Sequence, residues 1–227
     1  MRRGFYTHLA ALLIVMLASA ARAGTMTVTA SKTGFYSNGG FHSSGNSNYE
    51  IGDVEDNFIL RDFASFSLPT LPAGQGVISA TLTVTTATVS TSDPSETATF
   101  YDVTTPFSTL SPSYSSGSAT GLSVYDDLGS GTIYGSQVYF PSDLPGGTKT
   151  ITLNSAAVAD INAALGHSFS IGGAVTTLDA VDNIEVIYAA SFGPFHVLNL
   201  TTGPVPEPAS AALLAVGAAV VGMRRRR

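Results

Sequence analysis

Five oxygen-bearing side chains fall within eight residues at Glu50, Asp53, Glu55, Asp56 and Asn57. Carboxylates and an amide at that density suit a hard cation. Calcium takes about six to eight oxygens at flexible geometry, which an irregular loop between strands can supply. The D-x-[DN]-x-[DN]-G spacing of a helical calcium loop is absent, and a solvated acidic loop is the alternative reading of the same residues. Asp126-Asp127, and Asp179 with Asp182, are thinner versions of the same chemistry. Beyond leader residue His8, the histidines are His42, His167 and His196. They lie far apart, with no H-x-H or H-x-x-x-H pair, so a shared metal would require convergence that the spacing does not announce. Serines are plentiful but none stands in a G-x-S-x-G elbow, and no Gly-rich loop opens a helix after a strand. Paired carboxylates for glycoside hydrolysis are a three-dimensional property that sequence cannot exclude. These residues lead us to expect no enzyme, and no cofactor apart from a structural calcium at Glu50, Asp53, Glu55 and Asp56.

Charge narrows the partners. The span Gly24–Gly203 holds three basic residues, Lys32, Arg61 and Lys149, against fifteen acidic ones. The whole-chain charge of −6 hides this, because the other seven basic residues lie in the two ends. A surface this acidic argues against nucleic acid and anionic lipid and is compatible with bound cations. The chain has no cysteine, so disulfides, thiolate metal sites and thiol nucleophiles are all absent.

The elements that must position these groups read as strands. From Ile78 to Val84 the alternation is strict: Ile78, Ala80, Leu82 and Val84 on one face, Ser79, Thr81, Thr83 and Thr85 on the other. Period two with β-branched outward residues is a half-buried strand. Similar segments recur at Met26–Thr29, Phe63–Leu68, Thr97–Val103, Gln137–Phe140, Thr150–Leu153, Phe169–Ile171, Ile184–Tyr188 and Phe195–Leu200, separated by Gly, Pro, Ser and Asp clusters. Many short strands with such punctuation predict an all-β body, a β-sandwich or jelly roll. One short helix fits, capped by Asn154 or Ser155, with Val158, Ile161 and Leu165 as its buried stripe and Gly166 as its stop.

The two ends are of a different kind. Arg2 and Arg3, the apolar Leu9–Leu17 and Ala21-Arg22-Ala23 form the three regions of a signal peptide, with cleavage after Ala23 leaving Gly24 first. At the other end Pro206-Glu207-Pro208 is followed by an uncharged apolar run from Ala209 to Met223 and by Arg224, Arg225, Arg226 and Arg227. The prolines hold that triplet extended. A helix of the apolar run would reach about 22 Å at 1.5 Å per residue, short of a ~30 Å hydrocarbon core, with the arginines covering part of the deficit and facing the cytoplasm. The expected organisation is 1–23 signal peptide, 24–203 β-sandwich body and 204–227 sorting tail with a transmembrane segment.

That tail resembles the PEP-CTERM sorting signal of Gram-negative bacteria: triplet, apolar helix and terminal arginines stand in the same order. The resemblance implies handling by an exosortase, a membrane protease-transpeptidase, after export through the secretion machinery. An inner-membrane precursor would then give a cell-surface or extracellular product. Two stretches in the body, Asn48–Asp53 with Arg61–Leu68 and Val77–Leu82, and Asp127–Gly131 with Tyr134-Gly135, resemble jelly-roll domains of uncharacterised proteins bearing that signal. The function expected is a non-enzymatic surface or matrix protein associated with exopolysaccharide. A lectin-like carbohydrate-binding module comes second, drawing on Tyr36, Tyr49, Tyr114, Tyr125, Tyr134 and Tyr139, and an extracellular hydrolase third.

Overall fold

A computed structural model of the chain describes residues 23–55, 57–143, 145, 147–179, 184–189 and 196–205. The first strands are β1 (Gly24–Thr29), β2 (Lys32–Ser37), β3 (Tyr49–Asp53), β4 (Ile59–Ser67), β5 (Gln75–Thr86) and β6 (Thr88–Ser90). After them come β7 (Glu96–Asp102), β8 (Ile133–Tyr139), β9 (Gly147–Leu153), β10 (Ser168–Val175), β11 (Glu185–Ala189) and β12 (His196–Pro204). Among the described residues the helices are α1 (Phe107–Leu110), α2 (Ala119–Asp127) and α3 (Ser155–Ala163). The body is all-β, as its alternation predicts.

The strands form a four-stranded sheet in the order β1-β12-β5-β9 and an eight-stranded sheet in the order β6-β11-β3-β4-β10-β7-β8, with β2 added along β4. Their facing sides share one core. Leu82, Val84, Ile151, Leu153, Leu198 and Leu200 of the small sheet meet Ile51, Ala64, Phe66, Phe100, Ile171 and Ile187 of the large one. Burying a side chain such as Leu82 fully contributes about 1.5–3 kcal/mol, which fixes which face of each strand turns inward. The outward face of the small sheet is polar: Asn199 donates to Thr83 Oγ1 at 3.1 Å and accepts from Thr27 Oγ1 at 3.2 Å. The Asn199-Leu200-Thr201 sequence is thus committed to the sheet ladder.

The expected face of Ile78 requires correction. Ser79 lies opposite Thr201 while Val77 lies opposite Thr202, so Ile78 is the extra residue of a bulge. The bulge turns both Val77 and Ala80 into the core and leaves Ile78 52 % exposed. Alternation holds from Ala80 onward and breaks at the first residue of the pattern.

The sequence pattern does not announce a third layer that covers the outer face of the large sheet. Tyr36 and Phe63 from that face pack with Leu110, Val124, Tyr125 and Leu128 from α1 and α2. Ser118 caps α2 by accepting from Gly121 N at 3.2 Å, and Tyr36 donates to Leu110 O at 2.7 Å. Two consecutive glycines of β10 make opposite accommodations. A side chain on Gly172 would come within 2.5 Å of Leu128 O at the end of α2, and one on Gly173 within 2.2 Å of Asp62 Oδ1 inside the sandwich. Helix α3 follows its expectation in part: Asn154 accepts from Ala156 N and Ala157 N at 3.1 Å each and Gly166 takes φ +80°, but of the expected stripe only Ile161 is buried, with Ala157 beside it, while Val158 is half-buried and Leu165, also half-buried, lies past the helix end.

Candidate functional site

The acidic stretch at 50–57 is the hairpin between β3 and β4. Asp53 Oδ2 accepts from Asn57 N at 3.1 Å, and Asn57 takes the left-handed conformation that closes the turn, with φ 68°. Glu50 is half-buried in β3, and burial pushes its carboxyl above the ordinary value. Among the described residues, Glu50, Asp53 and Glu55 are not brought together as a set of three ligand atoms. Asp56 lies outside those residues. Of the thinner candidates, Asp127 accepts from Thr104 Oγ1 at 2.7 Å, Thr105 N at 2.8 Å and Thr105 Oγ1 at 2.7 Å, which anchors α2 to the chain before α1.

The histidines occupy three separate environments. His42 is buried under the helical layer, stacked on Tyr36 at 4.4 Å with Nδ1 2.8 Å from Phe35 O, and burial holds its pKa below the ordinary value. His167 is exposed just beyond α3. His196 is 1 % exposed between the sheets, its Nε2 3.2 Å from Asp62 Oδ2 on β4. Burial raises the Asp62 pKa, and the His196 contact opposes that shift. The edge of the imidazole meets the Tyr49 ring at 4.8 Å. This pair joins the two sheets through the interior and is closed to a substrate.

A glycan platform requires exposed rings, and the six tyrosines expected to supply them do not. Tyr36, Tyr49, Tyr125, Tyr134 and Tyr139 are buried and Tyr114 is half-buried. One polar cleft of about 290 Å³ opens beside α3, lined by Asp102, Thr104, Tyr134, Asp160, Ser168 and Ser170 among others. Tyr134 donates to Asp160 Oδ2 at 2.6 Å, and its own pKa is raised by burial first and then by that bond and the Asp160 charge.

A second acidic group is assembled from distant parts of the chain. Asp93 in the β6–β7 turn, Asp179 after β10 and Glu185 at the start of β11 bring one carboxylate oxygen each to within 4.8 Å of one another. Glu185 Oε2 accepts from Asp179 N at 3.0 Å. Glu96, fully buried at the start of β7, stands alongside; Thr91 Oγ1 donates to its Oε1 at 2.6 Å and Thr177 Oγ1 to its Oε2. Of this group the sequence reading touched only Asp179. The signal available was the inward register: Glu96 alternates with Ala98 and Phe100, and Glu185 with Ile187, on core-facing sides.

The fold defines a two-sheet β body with an apolar core and a few buried acids. Residues 204–227 match the PEP-CTERM protein-sorting motif. The motif marks the chain for exosortase-dependent sorting to the cell envelope. No curated protein matches the chain. Ala21 of the leader and Pro206, Glu207, Pro208 and Arg224 to Arg227 of the tail lie outside the described residues, as does the apolar run; among the described residues no helix is long and apolar enough to cross a membrane.

Proposed function

We propose that this chain is a non-enzymatic surface or matrix protein of a Gram-negative bacterium that associates with exopolysaccharide after an exosortase has processed an inner-membrane precursor. The sorting motif at 204–227 is the observation that carries this reading. Export through a signal peptide ending at Ala23 accords with it, since Gly24, the first residue after cleavage, opens β1 opposite Thr202. A jelly-roll body whose tyrosines are spent on the core suits display and adhesion through its polar surface more than it suits chemistry on a substrate. The fifteen acidic residues of the body leave nucleic acid out and favour hydrated, cation-rich surroundings. The test is Glu207→Ala in the native host, which leaves the apolar run and the arginines intact. The variant should accumulate in the inner membrane as a precursor larger by roughly twenty residues, about one tail segment at the length of a short span, while the wild-type protein fractionates with the extracellular polysaccharide. Normal maturation of the variant would refute exosortase processing, and wild-type protein absent from the polysaccharide fraction would refute the association.

A further inference from the structure

We propose that Asp93, Asp179 and Glu185 bind a calcium ion that ties the β6–β7 turn and the segment after β10 to the start of β11. The three carboxylate oxygens lie within 4.8 Å of one another, a span that fits opposite sides of a calcium with Ca–O bonds of about 2.3–2.6 Å. An acidic cluster alone would be a solvated surface, but this one is not: Glu185 is fully buried, and its Oε1 has no hydrogen-bond partner among the described residues. A buried carboxylate oxygen without a donor is costly unless a cation meets it.

The body's own cations are engaged elsewhere. Lys32 donates to Ser44 O, Arg61 lies over the Tyr125 ring, and Lys149 pairs with Asp143. Like charges surround Glu185 instead: burial first, then Glu96, Asp179 and Asp93, push its carboxyl above the ordinary value. Glu96 already accepts from two threonine hydroxyls, so it adds negative potential while Asp93, Asp179 and Glu185 supply ligands. With oxygen donors alone and no imidazole in the group, the chemistry is that of a hard cation. In the strand order of the large sheet, β6 and β11 stand at one end, and β10 and β7 towards the other. A single ion would therefore hold the two ends of a curled sheet together in a chain with no disulfide.

The experiment uses the full chain purified in detergent, stripped with a chelator and melted with increasing calcium chloride to about 10 mM, above the range of weak extracellular sites. Magnesium chloride, and sodium chloride at matched ionic strength, run in parallel. At a hundredfold excess over Kd, calcium should raise Tm by on the order of 5–10 °C. Sodium chloride should not reproduce that rise. Glu185→Gln should raise the calcium-free Tm, by removing an unpaired charge, and abolish the calcium response. Asp179→Asn, at an exposed position, should weaken the response with the fold intact, whereas Glu55→Gln, exposed in the β3–β4 turn, should leave it unchanged. Absence of a calcium effect beyond the salt control overturns the site. A response that survives Glu185→Gln, or is lost in Glu55→Gln, places the ion elsewhere and overturns it equally. An equal shift with magnesium overturns the assignment to calcium.

Discussion

Replacing His196 by Phe keeps an aromatic ring against Tyr49 but removes the nitrogen that Asp62 faces at 3.2 Å across the interior. Where the pair is ionised, an effective dielectric of about 20 gives an attraction of about 5 kcal/mol at that separation before desolvation is subtracted. Breaking a buried pair by deleting one member typically costs about 3–5 kcal/mol, because the other is left without compensation. Against a total stability of about 5–15 kcal/mol, this would shift the urea midpoint strongly at unchanged m-value. Asp62→Leu, nearly isosteric, should cost a comparable amount by orphaning the imidazole. The double variant should recover most of the loss, since two apolar groups of similar shape demand no partner. We expect a coupling of at least about 2 kcal/mol in the cycle, within the range seen for contacting residues. The pH dependence has a definite sign. Burial raises the Asp62 pKa and His196 lowers it, so in His196→Phe the folded-state value rises further. A raised carboxyl stabilises below its unfolded pKa of about 3.9, and that contribution is lost as pH climbs through the folded value. The deficit of His196→Phe against wild type should therefore be largest near neutrality and shrink towards pH 4. Additive single variants, or a deficit indifferent to pH, would refute the argument.

The bulge makes a sharp prediction within one strand: Leu82→Asp should cost several kcal/mol and abolish folding, whereas Ile78→Asp should stay within about 1 kcal/mol. Equal damage in urea unfolding would show that the bulge is misplaced. For His42, whose pKa burial lowers, the unfolded chain takes up the proton first. Stability should thus fall as pH drops below about 6.5, until the folded value is passed. His42→Gln should flatten that part of the pH curve relative to wild type, and an unchanged slope would remove His42 as its source.

Period-two patterning located nine strand segments, most plainly Met26–Thr29, Ile78–Val84 and Thr150–Leu153, where apolar residues alternate with threonine or serine. The strands it passed over lack that contrast. In β2, Gly34 interrupts the pattern, and Tyr36 is buried on a face that in an uncovered sheet would meet water. In α2, Ala-Thr-Gly-Leu-Ser-Val-Tyr-Asp-Asp combines weak helix formers with little amphipathic signal. That helix is held by its Ser118 cap, by Arg61 donating to Tyr125 O at 2.9 Å, and by close approach to Gly172. The cleft was equally invisible, because Asp102 of β7 and Asp160 of α3 line it together from positions far apart in sequence. Density of acidic residues along the chain drew attention to the 50–57 stretch, where two of the carboxylates serve β3 and its turn, while Asp93 lies far in sequence from Asp179 and Glu185 and joins them only through the fold.

Three carboxylates occupy inward positions of strands: Asp62 before Ala64 and Phe66, Glu96 before Ala98 and Phe100, Glu185 before Ile187. Each is a violation of the pattern that builds the fold, and each requires an account of its charge. Asp62 has a histidine from the opposite sheet against Oδ2, although among the described residues its Oδ1, like one oxygen of Glu185, has no hydrogen-bond partner. Glu96 has two threonine hydroxyls, one on either carboxylate oxygen. Glu185 has a backbone amide on one oxygen and, among the described residues, nothing on the other, while its nearest charged neighbours share its sign. The three basic residues of the body are each engaged elsewhere, so none of them balances it. The first two cases show that the fold supplies partners to buried acids where its own residues can reach. The third has acidic neighbours in place of a cation among the described residues, and the turn, the segment after β10 and the start of β11 converge on it as the ligands of the proposed ion.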